Sequence, residues 1–569
     1  MAFFKLRSLV ALLSLHCFLV GTQCVQEAGR GLSRTDIAGQ WSILEPILKA
    51  QEESFIQAAP LDSNEVDEHS SLIWPLPLEH SRGNVTLVID PGLKFTSNLP
   101  NSVVLDAAFD RYLKLIFTHP TKVKDQKLRG NLILVLSEVH IEVNCTKEEL
   151  NYGVDESYTL DVPKNGDPAI IKAETVFGAL RGLETFSQLC FYDFSTKKVR
   201  LEHAPWSVKD APRFPHRGLL IDTSRHWQPV IAIKEIIDSL SYAKMNVLHW
   251  HTVDYQSFPL EVPSFPKLWD GAYTRYEKYS YADVADVVEY GRLRGVHVMA
   301  EIDVPGHAIS WGVGYPELWP SPTCQEPLDV SNNFTFEVIE GIFSDLKKIL
   351  KYDLFHLGGD EVNTDCWTST PHVAAWLAER GWSGHDAYAD FVLHAQRLAL
   401  KQGWQPINWQ EPFDEFPERL DNSSIVHIWI NKASAPRAAA LGHRVLMSNF
   451  DAWYLDHLGV PWQTMYSNDI LQGVEDPEQQ KLFLGGEVCA WGETIDISDL
   501  QQTVWPRSAA AAERLWSPKS LTDGDPNRAL GRLEYFRCLL NSRGVRAAPV
   551  QNILGRQPPT GPGSCFAQK

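Results

Sequence analysis

No stretch of five or more consecutive basic residues occurs in this chain of 569 residues. Lysine plus arginine (52) fall short of aspartate plus glutamate (71), for a formal net charge of −19. A surface of that sign repels phosphates, which argues against nucleic acid and anionic lipid as partners. No Cys-x-x-Cys pair is present, so a zinc ribbon or a dithiol redox centre is not expected. No glycine-rich phosphate loop follows the first strand-like run of the C-terminal region, which argues against an open nucleotide-binding sheet. Beyond residue 24 no apolar run approaches the ~20 residues needed to cross a bilayer, so stable membrane insertion is not expected. No cofactor is expected.

What is present begins with a leader. Lys5 and Arg7 precede an apolar run, Leu9 to Val20, that ends near Gly21. A basic flank, a short apolar centre and a small residue at the exit form a signal-peptide pattern over residues 1–24. The mature chain is therefore expected in the secretory pathway, destined for the exterior or for a lysosome or vacuole. Four Asn-x-Ser/Thr sequons, at Asn84, Asn144, Asn333 and Asn422, fit that route as glycosylation sites. Of nine cysteines, Cys17 and Cys24 fall in the leader. The remaining seven are an odd number, which leaves at least one free thiol or an intermolecular bond. Nineteen tryptophans are many, and flat rings stack well on the apolar faces of sugars.

Residues 25–71 are polar and patternless and read as a linker or pro-segment. Residues 72–205 read as a small N-terminal α/β domain. Its strand-like runs are Val85–Ile89, Leu132–Leu136, Tyr158–Val162 and Ala169–Ala173, with helix patterns near Leu105–Phe117 and Val176–Cys190. From 206 to 569 short apolar runs alternate with amphipathic stretches. The runs are Gly218–Thr223, Asn246–Val253, Val296–Asp303, Leu354–Gly359, Gln405–Trp409, Ser424–Ile430, Arg444–Asn449 and Phe483–Trp491. One helical stripe is Ile233, Ile236, Ile237 and Leu240; another runs from Phe336 to Leu350. Eight repeats of strand then helix predict a (β/α)8 TIM barrel.

Barrel enzymes carry their chemistry at the C-terminal ends of the strands. The eight runs end, in order, in Asp222 and Arg225; Asp254; Asp303 and His307; Asp360 and Glu361; Trp409 and Glu411; Trp429; Tyr454 and Asp456; and Trp491 and Glu493. Polar and aromatic groups thus collect around one rim. The sharpest element is His356-Leu-Gly-Gly-Asp-Glu361. Adjacent strand residues point to opposite faces, so Asp360 and Glu361 reach one cleft only if the chain leaves strand geometry, which the two glycines permit. Neighbouring carboxylates separate their pKa values, so one can serve as an acid while the other stays ionised. His249 and His251 share a strand face and offer a metal-site alternative; packing and hydrogen bonding inside the barrel is the preferred reading, with no metal.

The segments Gly218-Leu-Leu-Ile-Asp-Thr-Ser-Arg225, His249-Trp-His-Thr-Val-Asp254, Asp303-Val-Pro-Gly-His307, His356 to Glu361, Trp409-Gln-Glu411 and Gly485-Gly-Glu-Val-Cys-Ala-Trp-Gly-Glu493 resemble glycoside hydrolase family 20, the β-N-acetylhexosaminidases. The resemblance covers roughly residues 72–560. It implies an exo-acting retaining hydrolase of terminal β-linked N-acetylglucosamine or N-acetylgalactosamine on glycans, in which the substrate's own acetamide is the nucleophile and an oxazolinium forms. It assigns Glu361 as acid/base, Asp360 as partner of the acetamido N–H and Tyr454 as donor to the acetamido oxygen. Trp409, Trp429 and Trp491 would box the methyl group. Arg225 and Glu493 would bind ring hydroxyls. Asp254 and His307 would line the site, and His307 together with Asp303 would tune the acid. Tyr454 is followed by Asp456 and His457 where some animal members have Asn and Arg and accept anionic sugars; the carboxylate of Asp456 points to neutral ones. Asp254 is followed by Tyr255 where many members have a second Asp. The resemblance further implies the bridges Cys324–Cys366 and Cys538–Cys565 and a homodimer. It leaves Cys145 with Cys190 open and makes Cys489 a free thiol. A sugar-binding protein on the same barrel would lack the acid, and a metal-dependent hydrolase would lose activity to a chelator.

Overall fold

The protein is described here from a computed structural model, which covers residues 72–121 and 134–551, with two short strand pieces at 127–128 and 131–132. The leader, the segment 25–71, Cys17, Cys24 and Cys565 lie outside the described residues.

The N-terminal part is a six-stranded mixed sheet. Its strands are β1 (Glu79–Ser97), β2 (Val135–Val143), β3 (Tyr158–Val162), β4 (Ala169–Ala173), β5 (Cys190–Asp193) and β6 (Lys198–Asp210). The order is β1-β2-β4-β3-β6-β5, and β1 also pairs with β6. Two helices accompany it, Val103–Ile116 and Val176–Leu189, capped by the side chains of Ser102 and Thr175 on the backbone N–H groups of Leu105 and Gly178. The predicted run Val85–Ile89 is the middle of a much longer strand, and β5 and β6 escape the sequence reading. In β6, Val199 and Leu201 alternate inward, then Ala204, Trp206 and Val208 resume one residue out of step. His203, at a φ of 62°, marks the slip. Because β6 runs on to Asp210, the small sheet continues past the boundary expected at 205.

The barrel strands are β7 (His216–Asp222), β8 (Val247–Val253), β9 (His297–Ile302), β10 (Leu354–His356), β11 (Gln405–Trp409), β12 (Ile425–Ile428), β13 (Arg444–Met447) and β14 (Phe483–Ala490). They are parallel, and β14 pairs with β7 to close the ring. Almost every strand residue is buried, as required where helices cover one face and neighbouring strands fill the other. The predicted stripe Ile233, Ile236, Ile237 and Leu240 is the buried side of the helix Val230–Tyr242.

The helix Val176–Leu189 is buried on almost all sides, although it carries Arg181 and Glu184. Glu156 receives Arg181 Nε at 2.8 Å and Arg217 Nη2 at 2.7 Å, and Arg181 Nη2 donates to the Gly295 carbonyl at 2.7 Å. Lys244 Nζ reaches Asp210 at 2.8 Å. These buried ions join the small sheet to the base of the barrel, and removing one partner would strand the other without solvent. Cys324 and Cys366 form a disulfide with Cα atoms 5.6 Å apart. Cys145, Cys190 and Cys489 are free thiols, so the pairing left open between Cys145 and Cys190 is not made. Asn84, Asn144, Asn333 and Asn422 are all exposed. Among the described residues no helix is long and apolar enough to cross a membrane.

Candidate active site

A pocket of about 180 Å³ opens at the C-terminal end of the barrel strands. Arg225, His307, Asp360, Glu361, Trp409, Trp429, Tyr454, Asp456, Trp491 and Glu493 all line it, as do Asp303, His251, Phe450 and His457. The strand ends explain the convergence: a parallel barrel aims every strand-to-helix loop at one mouth.

Asp254 stands behind this wall and is fully buried. It accepts from His251 Nε2 at 2.8 Å and His307 Nδ1 at 3.2 Å, and its Oδ2 lies 2.8 Å from Arg225 Nη2. Burial pushes its carboxyl up, but the hydrogen bonds from His251 and His307 hold it well below the usual carboxylate range. Asp222 is the second clamp: it takes Arg225 Nη1 at 2.9 Å and the backbone N–H groups of Ser224 and Gly492. Arg225 therefore enters the pocket with its charge already balanced, its guanidinium 5.3 Å from the Trp491 ring and 3.9 Å from Glu493.

β10 ends at His356, and the chain then turns sharply. Gly358 and Gly359 have φ of 62° and 96°, and Glu361 itself is left-handed at 52°. At Gly358 a Cβ would lie 1.9 Å from Asp303 Oδ1, so glycine is required by space as well as by conformation. The departure from strand geometry expected at these glycines is what brings Asp360 and Glu361 into one pocket. The Gly358 carbonyl accepts from Asn408 Nδ2 at 2.9 Å, the Gly359 N–H donates to Asp303 at 2.9 Å, and the Tyr388 hydroxyl donates to the Gly359 carbonyl.

The two carboxyls differ in surroundings. Asp360 is buried against Asp303. Burial and the neighbouring Asp360 push Asp303 well up, so it keeps its proton. Burial also raises Asp360, against the pull of His307. Asp360 Oδ1 has no hydrogen-bond partner among the described residues. Glu361 has a side chain 61% exposed, with Oε2 3.5 Å from His307 Nε2. The hydrogen bond from His307 lowers its pKa, although partial burial opposes this. In the free pocket the two shifts thus run against an acid Glu361 beside an ionised Asp360. The reason is that Glu361 is half-open and bonded by His307, while Asp360 is buried and feels the charge of Glu301.

Aromatic rings form the far wall. Trp409 and Trp491 have centroids 5.8 Å apart, and Tyr454 stacks with Trp429 at 6.2 Å. Trp409 Nε1 is anchored on Glu301 at 2.7 Å. Below the pocket lies a buried histidine network. His249 Nδ1 is 2.7 Å from Glu487, and its Nε2 is 3.0 Å from Glu301 without pointing a hydrogen bond at it. His251 Nδ1 is 2.7 Å from Glu301. His249, Glu301 and His356 are close enough to share an ion, but each carboxylate already balances a histidine, with His249 pushed up to about 9 by Glu487 against the effect of burial. Sequence reasoning passed over Phe450, Glu301 and Tyr388. Glu301 lies inside a strand run, and Tyr388 sits on the helix Gly384–Lys401, remote from any strand end.

The chain's relatives share this arrangement's setting. A model of the glycosyl hydrolase family 20 catalytic domain matches residues 214–519, and a beta-acetyl hexosaminidase-like model matches residues 73–189. Beta-hexosaminidase 1 of Arabidopsis thaliana is 53% identical over 509 residues, covering 87% of this chain and 94% of that protein. Beta-hexosaminidase subunit alpha of Mus musculus is 37% identical over 478 residues, covering 79% of this chain and 87% of that protein. Among solved structures, a Flavobacterium johnsoniae chitobiase superposes with a TM-score of 0.73 at 29% identity, covering 83% of this chain and 73% of that one. On this evidence the chain belongs to glycosyl hydrolase family 20 and is an exo-acting β-N-acetylhexosaminidase.

Proposed function

We propose that the chain works by substrate-assisted retaining catalysis on neutral terminal 2-acetamido sugars, with Glu361 as proton donor and Asp360 as partner of the acetamide. The observation that carries this reading is the carboxyl of Asp360, a lining residue of the aromatic pocket whose buried Oδ1 has no hydrogen-bond partner among the described residues. A buried carboxylate oxygen without a donor is costly, and an acetamido N–H supplies one. With that bond made, the acetamido oxygen lies under the anomeric carbon, Tyr454 donates to it, and Trp409, Trp429 and Trp491 enclose the methyl group and keep water out. Attack by that oxygen forms the oxazolinium while Glu361 gives its proton to the departing glycosidic oxygen. Glu361 then takes a proton from the water that opens the ring.

The opposed shifts of the two carboxyls in the free pocket fit this sequence of events. A seated sugar strips water from Glu361 and raises its pKa. The acetamido N–H, and then the positive oxazolinium, stabilise an ionised Asp360. Arg225 in the pocket is held by Asp222 and Asp254, and Asp456 and Glu493 add carboxyl groups, which favours uncharged sugars. The exposed sequons fit passage through the secretory pathway to the exterior, lysosome or vacuole.

The test is hydrolysis of an aryl N-acetyl-β-glucosaminide and its N-trifluoroacetyl analogue at mildly acidic pH, with and without chelator. Turnover should fall steeply for the fluorinated sugar, whose carbonyl is a weaker nucleophile, and should ignore the chelator. Equal turnover of the two sugars would overturn the acetamide's role.

A further inference from the structure

A file of hydrogen bonds crosses the barrel beneath the pocket and ends on the loop that carries Asp360 and Glu361. The Ser448 hydroxyl, just past β13, donates to the Glu487 carbonyl of β14 at 2.9 Å. Ser448 Oγ is 2.7 Å from Nε2 of His427 on β12. Nδ1 of His427 is 3.1 Å from Nε2 of His356, the last residue of β10. His356 Nδ1 accepts the N–H of Gly358 at 3.1 Å. Every member of the file is buried. Its two ends fix where the protons lie, because a backbone N–H can only donate and a carbonyl can only accept. His356 Nδ1 is then bare, and Nε2 donates to His427 Nδ1; His427 Nε2 in turn donates to Ser448. Both rings are neutral in this arrangement, and burial depresses the pKa of each. A second proton on His356 would turn its 3.1 Å contact with Glu301 into an ion pair and release Gly358. The Trp409 indole stacks on the His427 ring, with centroids 4.2 Å apart and 23° between the planes.

We propose that His427 is a positioning residue for the known reaction: its ring backs Trp409 and, through His356, its nitrogens hold the N–H of Gly358, so that the acid loop and one wall of the sugar box are set relative to each other. The inference rests on the reading of Glu361 as proton donor. Gly358 is the point to hold, because β10 ends at His356 and the left-handed turn that delivers Glu361 begins at Gly358. Slack introduced there reaches Glu361 most, since its side chain is 61% exposed whereas Asp360 is buried. A displacement of about 1 Å at a reacting group can cost on the order of 100-fold in rate.

The experiment compares His427→Phe, His427→Gln, Ser448→Ala and Glu361→Gln in the full-length enzyme. The substrates are N,N′-diacetylchitobiose, whose leaving sugar needs a proton, and a dinitrophenyl N-acetyl-β-glucosaminide, whose leaving group departs without one; N-acetylglucosamine serves as inhibitor. His427→Phe keeps a flat ring behind Trp409 and removes both nitrogens. It should lose about 100-fold in kcat on chitobiose and under about 10-fold on the dinitrophenyl glycoside. Its inhibition constant for N-acetylglucosamine should stay within about threefold, because Trp409 keeps its stacking partner. His427→Gln offers His356 a carbonyl and Ser448 an N–H but no ring, so it should recover most of kcat on chitobiose and bind the inhibitor more weakly. Equal losses on both substrates, no loss, or a glutamine variant as slow on chitobiose as the phenylalanine one overturns the proposal, because mere destabilisation does not sort the variants this way. If His427→Phe fails to fold, Ser448→Ala decides: it removes the acceptor at the end of the file without touching a ring, and it should slow chitobiose more than the dinitrophenyl glycoside. Equal effects there overturn the proposal too. If Glu361→Gln depends on the leaving group and the His427 and Ser448 variants do not, only the role of His427 falls. If Glu361→Gln does not depend on it, the reading of Glu361 falls and takes the proposal with it.

Discussion

Replacing Gly358 by alanine tests whether the loop after β10 is built as described. The new Cβ would sit 1.9 Å from Asp303 Oδ1, at a φ of 62°. A left-handed alanine costs roughly 1–2 kcal/mol. Asp303 cannot yield freely, since it is buried and holds the Gly359 N–H at 2.9 Å. Breaking that bond in the interior adds about 1–3 kcal/mol, for a total of roughly 2–5 kcal/mol. The same movement displaces Asp360, so kcat on an aryl N-acetyl-β-glucosaminide should fall about 100-fold or more. Gly381→Ala provides the control. Gly381 ends the helix Pro371–Arg380 at a φ of 65° with nothing within 4 Å of an added Cβ. It should lose the conformational 1–2 kcal/mol and keep its kcat. Thermal unfolding and steady-state kinetics on both variants decide the matter. A Gly358→Ala enzyme within a few-fold of normal kcat would refute the argument, and so would equal loss of activity in Gly381→Ala.

Glu361→Gln should cut turnover of the aryl glycoside by about 100- to 10,000-fold while leaving the melting temperature almost unchanged, because the side chain is mostly exposed; near-normal turnover would remove the acid assignment. As the proposed proton donor Glu361 must be protonated to act, so activity should fall as pH rises through its pKa. The His307 hydrogen bond lowers that pKa in the free enzyme, and a bound sugar raises it, so the alkaline limb of kcat should lie at higher pH than that of kcat/KM. Coincident limbs in the two pH profiles would contradict this. Replacing both Cys324 and Cys366 by serine opens a loop of 42 residues and should cost about 4 kcal/mol in denaturant unfolding, and a loss under 1 kcal/mol would be at odds with the chain-entropy account.

The barrel was legible because each of its strands is buried on both faces and reads as a short apolar run. The small sheet was less so. The slip in β6 at His203 breaks the alternation that would have marked the strand, and the helix Val176–Leu189 carries charges that suggest a wet face. Its Glu184 is instead paired with Arg543, 359 residues further along the chain, at 2.8 Å. No local pattern can signal a partner at that distance, so burial of a charged helix face became visible only when the two parts were seen together.

The site shows a similar division. Strand ends located the rim, because a parallel barrel leaves them nowhere else to point. They did not tell which carboxyls face the pocket. Asp254, which ends β8, looks from the sequence like a pocket residue, yet it is sealed behind Arg225 and His307. Adjacent carboxyls were expected to differ in pKa, but the sign depends on what other loops bring. His307, from the loop after β9, stabilises an ionised Glu361, while burial and the charge of Glu301 inside the barrel raise Asp360. The consequence reaches the chemistry. On the proposed mechanism a ligand has to raise Glu361 and lower Asp360 before the leaving group is protonated. A 2-acetamido sugar bound as proposed would do so: its N–H would satisfy Asp360, and its ring would shield Glu361 from water. A sugar with a free 2-hydroxyl group would shield Glu361 but offer no acetamide to Asp360 and no internal nucleophile. Selectivity for the acetamide would then arise in the protonation step as well as in binding.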